Sequence, residues 1–139
     1  MFQEIKLKNA LEPKGLGTGA AVADIDNDGL LELLISHGES GLQPLSLFKF
    51  NSDEKTSYLR IRPLNMHGAP ARGATVTLIT NKREHSKTID AGSGYLCQME
   101  PVAHYGIREN ETEFKFKVKW TNGDEDLFDV KNLNETIIV

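Results

Sequence analysis

From Phe114 to Trp120 the chain alternates without a break, with Phe114, Phe116, Val118 and Trp120 on one side and Lys115, Lys117 and Lys119 on the other. A two-residue period sends successive side chains to opposite faces of an extended backbone, so this segment reads as a strand with one face on a core and the other in solvent. Asn122-Gly123 follows, the pair favoured in a two-residue type I′ turn, and Asp126-Leu127-Phe128-Asp129-Val130 supplies the returning strand.

The rest of the chain supports that reading. Tyr58 to Arg62 and Thr75 to Ile79 alternate, and Ile137-Ile138-Val139 closes the sequence as a short strand. Nearer the N-terminus, Gly19 to Ile25 and Leu30 to Ile35 are apolar runs of strand length, and Leu45 to Phe50 alternates as a third. Ala and Leu in the first two runs favour helix, but Gly15, Gly17, Gly19, Gly29, Gly38 and Gly41 punctuate the region too densely for one. The expected class is all-β. The polar stretch Asn51 to Thr56 is the candidate boundary, dividing the chain into residues 1–52 and 53–139, the second expected to be a small antiparallel β-sandwich or barrel.

Within the first unit, Asp24-Ile25-Asp26-Asn27-Asp28-Gly29-Leu30-Leu31-Glu32 carries carboxylates at positions 1, 3, 5 and 9, with Gly at position 6. A hard cation such as Ca²⁺ takes six to eight oxygens, which alternate side chains of a sharply turning loop can supply, and the carbonyl of Leu30 at position 7 is a further donor. Asp24, Asp26, Asp28, Leu30 and Glu32 are therefore the candidate calcium ligands. The loop is not an EF-hand: its twelfth position is Ile35 instead of a bidentate Glu, and its flanks read as strands. An ordinary acidic turn is the alternative, since Asp, Asn and Gly form turns unaided. Crowding carboxylates of one sign favours a bound cation.

The charge balance isolates the same loop. The chain has 20 acidic and 16 basic residues among 139, a net charge of −4, and without the four loop carboxylates the two signs are equal. That balance argues against nucleic-acid binding, which needs an excess of Lys and Arg. No apolar run approaches the roughly 20 residues of a membrane-spanning helix, so membrane insertion is not expected. The N-terminal residues show no secretory signal pattern.

Phe2 to Ile5 together with Gly17 to Gly29 resembles one FG-GAP/VCBS-type repeat, the unit of calcium-loaded β-propellers in integrin α-chains and related proteins. Gly73 to Leu78, Gly92 to Gln98, His104 to Ile107 and Trp120 to Gly123 resemble, in order and spacing, the ASPIC/UnbV domain. The family pattern has Trp-Pro-x-Gly where this chain has Trp120-Thr121-Asn122-Gly123, and His-Phe-Gly-Leu-Gly where it has His104-Tyr105-Gly106-Ile107-Arg108. The resemblance implies a secreted matrix glycoprotein, a binding role with extracellular matrix or cell-surface proteins or glycans as partners, and no catalysis. One repeat cannot close a propeller ring, so the chain is expected to be a piece of a longer protein with Met1 as an introduced start.

His37, His67, His85 and His104 lack the spacing of a zinc site, and His104 is expected to make a fixed hydrogen bond within the fold. Cys97 is expected to be a small buried residue or the partner of a cysteine elsewhere. Lys115, Lys117 and Lys119 suit either a sulfated glycan or a solvated strand face. Asn110-Glu111-Thr112 and Asn134-Glu135-Thr136 are N-glycosylation sequons, making Asn110 and Asn134 glycosylation candidates. Gly92-Ser93-Gly94 has no phosphate-loop context. Against the binding module stand two alternatives: a hydrolase using paired carboxylates such as Asp24 and Glu32, and a purely structural cap on an absent propeller.

Overall fold

A computed structural model describes residues 17–38, 45–49, 57–95 and 97–139. Phe2 to Ile5, Phe50 and the Asn51 to Thr56 boundary lie outside them, as does Leu96. The described residues form ten strands and no helix, in agreement with the all-β expectation. β1 (Gly17–Ala23), β2 (Glu32–His37) and β3 (Ser46–Phe48) make an antiparallel meander. β4 (Ser57–Arg62), β7 (Ala103–Ile107) and β10 (Glu135–Ile138) form a second sheet in the order β10-β4-β7. β5 (Thr75–Ile79), β6 (Glu84–Thr88), β8 (Lys115–Lys119) and β9 (Glu125–Asp129) form the third, in the order β6-β5-β8-β9.

The second and third sheets enclose one core. Leu59 and Ile61 of β4 and Ala103 and Tyr105 of β7 join Val76 and Leu78 of β5 and Phe116 and Val118 of β8 in a single buried cluster. The alternation that marked the β8 strand is what seats Phe116 and Val118 there. Phe116 stacks on Phe128 of β9 with ring centroids 4.8 Å apart. The Tyr105 hydroxyl donates to the Val76 carbonyl at 2.8 Å, tying one layer to the other. The sheets do not close on themselves, so the domain is a sandwich and not a barrel.

Two details differ from the sequence expectation. β10 runs parallel to β4, with Glu135 opposite Leu59 and Ile138 opposite Arg62, whereas an antiparallel domain was expected. Between these strands the chain builds the whole other sheet, which gives the long crossover that a parallel pair requires. The β8–β9 hairpin forms as expected, but its turn is not type I′. The Gly123 amide donates to the Trp120 carbonyl at 3.0 Å and the Trp120 amide to the Asp124 carbonyl at 2.9 Å. Only Gly123, at φ 97°, is left-handed, while type I′ needs two such residues. The loop is a three-residue turn in which Thr121 holds the place where the family pattern has proline.

Candidate metal centre

The loop between β1 and β2 is shaped by Asp24. Its buried carboxylate accepts the amide of Asp28 through Oδ1 at 3.0 Å and that of Gly29 through Oδ2 at 3.2 Å. Asp28 repeats the device one step on, with Oδ1 accepting the Leu30 amide at 2.8 Å. The chain can reverse so tightly because Asn27, at φ 59°, and Gly29, at φ 88°, are left-handed. As a result Asp24, Asp26 and Asp28 each bring a carboxylate oxygen within 4.8 Å of the others.

Lys49, just past β3, reaches into this group. Its ammonium donates to Asp26 and lies 2.8 Å from Oδ2 of Asp28. The Lys49 bond holds the Asp28 carboxyl below its usual range, helped by the Leu30 amide. Asp26 first, then Asp28, raise the Lys49 ammonium above its ordinary value. A positive charge is thus seated where the carboxylates crowd.

Glu32 stands at the base of the loop, 3% exposed. Its Oε2 accepts the Ile25 amide at 2.9 Å, while Oε1 is buried with no hydrogen-bond partner among the described residues. Glu32 is not one of the three converging carboxylates. The donor set of Asp24, Asp26 and Asp28 is all oxygen, which fits a hard cation such as Ca²⁺. The same set does not suit hydrolysis. Asp24 and Glu32, the pair considered for acid–base work, are both buried and both hold backbone amides of their own loop.

The underside of the loop rests on the outer face of the β4–β7 pair, a contact that sequence reading did not reveal. Arg60 of β4 is 6% exposed and donates to Asn27 Oδ1 at 2.9 Å and to both carboxylate oxygens of Glu100 at 2.6 Å; its guanidinium also lies 3.8 Å from Asp24. Directly across the ladder from Arg60 is His104, whose Nε2 is bonded to the Gly29 carbonyl at 3.0 Å. The fixed hydrogen bond expected of His104 is this one. Its ring is parallel to that of Tyr58, centroids 5.9 Å apart. Burial lowers the His104 pKa, against the opposing pull of the Gly29 carbonyl and Asp24. Arg60 and His104 occupied positions that alternation alone assigns to solvent, so only the cross-strand register brings them together.

The Cys97 thiol is half-buried and donates to the Ala20 carbonyl at 3.1 Å, fastening β1 to the loop before β7. His37 shares a 2.8 Å bond with Ser46, and His85 meets the Tyr105 ring edge-on. Lys115 and Lys117 face Asp129 and Glu125 at 3.5 and 3.3 Å, so two of the three lysines are matched by acids on β9. Asn110 and Asn134 are both exposed, and Asn134 also accepts the Tyr58 amide at 2.9 Å.

The sequence pattern of the ASPIC and UnbV family matches residues 65–139. The chain belongs to the ASPIC and UnbV family. Its matched part begins after β4, although Leu59 and Ile61 of that strand are fully buried in the same core. The chain is 48% identical over 124 residues to cartilage acidic protein 1 of Homo sapiens and of Mus musculus, and 50% identical over 123 residues to that of Xenopus tropicalis. Each alignment covers 88% of this chain and 19% of the relative, so the chain spans about a fifth of their length.

Proposed function

We propose that this ASPIC and UnbV chain is a non-enzymatic, calcium-binding module of the extracellular matrix, with residues 1–52 acting as an FG-GAP/VCBS-like repeat and 53–139 as the ASPIC/UnbV domain. The convergence of Asp24, Asp26 and Asp28 carries the calcium reading. Leu30, through its carbonyl, and Glu32 complete the ligand set. Calcium supplies the divalent charge that lets the carboxylates stay together. The protein's own part is to hold the loop against β4 and β7 through Arg60 and His104, so that a rigid loop and sandwich face a matrix or cell-surface protein or a glycan. The extracellular setting rests on kinship with cartilage acidic protein 1, and the exposure of Asn110 and Asn134 agrees with glycosylation on a secretory route.

Thermal unfolding in millimolar Ca²⁺, in Mg²⁺ and in chelator tests the metal site, with Asp26→Ala as control. Asp26 is exposed, so its loss leaves the core intact. A ligand at a hundredfold excess over its dissociation constant stabilises the folded state by about 2.7 kcal/mol. Ca²⁺ should raise the midpoint of the wild type and not of Asp26→Ala. Identical midpoints in calcium and chelator would reduce the loop to an acidic turn.

One observation favours a second reading. Leu45 and Leu47 beside and within β3 are 65% and 56% exposed, and Ile25 is 54% exposed. Such a surface suits a cap against an adjoining part of a longer protein. Concentration-dependent self-association of the chain, abolished by Leu45→Ser with Leu47→Ser, would support it.

A further inference from the structure

A cleft of about 640 Å³ opens between the loop that follows β4 and the tip of the β8–β9 hairpin, sharing no residue with the acidic loop. One wall offers Leu64 and Met66, the latter 92% exposed; the other offers Trp120 with Asp124, Glu125 and Asp126. Its lining residues include three carboxylates and no Lys, Arg or His.

Both walls are fixed by local bonds. Asn65 Oδ1 accepts the amides of His67 at 2.9 Å and Ala69 at 3.1 Å, and the Leu64 amide donates to the Val139 carbonyl at 2.7 Å. Across the cleft the Trp120 indole donates to Asp126 Oδ2 at 2.7 Å, and Asn122 donates to Asp124 Oδ2 at 2.6 Å. A preformed cleft loses little freedom on binding. The partners of Asp124 and Asp126 in these bonds are neutral and, among the described residues, neither is paired with a cation, while Glu125 faces Lys117 at 3.3 Å.

These carboxylates do not converge as Asp24, Asp26 and Asp28 do; among the described residues that trio is the one group of three close enough to share an ion. A row of carboxylates beside an aromatic ring suits an extended cationic ligand instead. We propose that the cleft is a docking site for a basic peptide segment of a partner protein. An Arg or Lys side chain lies along Trp120, where the ring attracts a cation, with its charge against Asp124 and Asp126, and an apolar neighbour packs on Leu64 and Met66.

Trp120 is the only tryptophan in the chain and reports on the site directly. The test titrates the full chain, in chelator, with an Ala-Arg-Leu-Arg-Ala peptide blocked at both ends and with its Glu counterpart, following indole fluorescence and calorimetric heat in parallel. Saturable binding of the Arg peptide is expected, weakening from about 0.05 M to about 0.5 M salt as screening of these exposed charges demands. Asp124→Asn should weaken binding about tenfold, the effect of losing one close charge pair. Met66→Ala should weaken it further with no change in salt dependence. Absence of saturable heat and fluorescence change with the Arg peptide, equal binding of the Glu peptide, or unaltered binding by Asp124→Asn would each overturn the proposal.

Discussion

Arg60 donates to Asn27 at 2.9 Å, a hydrogen bond between the middle of the acidic loop and the centre of the sandwich sheet, 33 residues later in the chain. Because the same guanidinium grips Glu100 through two 2.6 Å bonds, loop, β4 and the segment before β7 are held by one side chain. The loop therefore does not depend on its own strands alone for its shape.

Replacing Arg60 by Met keeps most of the buried stem and removes every bond of the guanidinium. Hydrogen bonds to charged groups contribute about 1.5–3 kcal/mol each, but Glu100 is part-exposed and recovers water when released. Arg60→Met should cost about 2 kcal/mol in total. Urea unfolding in chelator measures it, and a change within error of zero would show that the loop is held by other contacts.

Gly29 allows a separate test of the same contact. A Cβ there would clash with the edge of the Tyr58 ring, and at φ 88° an L side chain is strained in any case. The left-handed backbone alone costs about 1–2 kcal/mol for Ala. Gly68, at φ 75° with nothing within 4 Å of its Cβ position, carries that backbone cost and no clash. Gly29→Ala should lose distinctly more stability than Gly68→Ala in parallel denaturation curves; equal losses would mean that Tyr58 simply swings aside.

What the sequence made legible is what periodicity and short-range register encode. Phe116 and Val118 are buried because alternation put them on one face, and Asp24, Asp26 and Asp28 converge because their spacing wraps a turn that Gly29 permits. β6 had no such signal, since its inward positions are His85 and Lys87, which cover the Tyr105 ring with an imidazole edge and an ammonium 5.8 Å from its centroid. Arg60 was hidden for the converse reason. A charged residue at the outward position of a strand reads as solvated until another element is known to lie over it, and Lys49 joins the aspartates only through the pairing of β2 with β3.

His104 makes stability depend on pH. Burial lowers its folded pKa below the usual 6.5, and its Nδ1 is buried without a partner among the described residues. The unfolded chain then binds the proton more readily than the folded one, so stability rises with pH through the window below 6.5 and is lost on acidification through it. Denaturation midpoints recorded in chelator on stepping down from neutral pH should fall in the wild type, and fall less in His104→Gln, which keeps a donor for the Gly29 carbonyl. His85, also lowered by burial, leaves a residual slope in that variant. Identical pH profiles for the two proteins would remove His104 as the source.

Lys49 bears on the calcium binding proposed for the loop. Its ammonium sits between Asp26 and Asp28, so a metal ion drawn to those oxygens must displace it. Lys49→Gln leaves the carboxylates without that resident charge, and they repel one another more in the metal-free protein. The metal-free state is thereby raised, while a calcium-bound state, from which the ion would have displaced Lys49, would change little. Calcium affinity should increase severalfold in Lys49→Gln, a modest gain because all three side chains are part-exposed. Calorimetric titration of Ca²⁺ into both proteins decides it. Weaker binding in the variant would show that Lys49 shapes the loop for metal instead of competing with it.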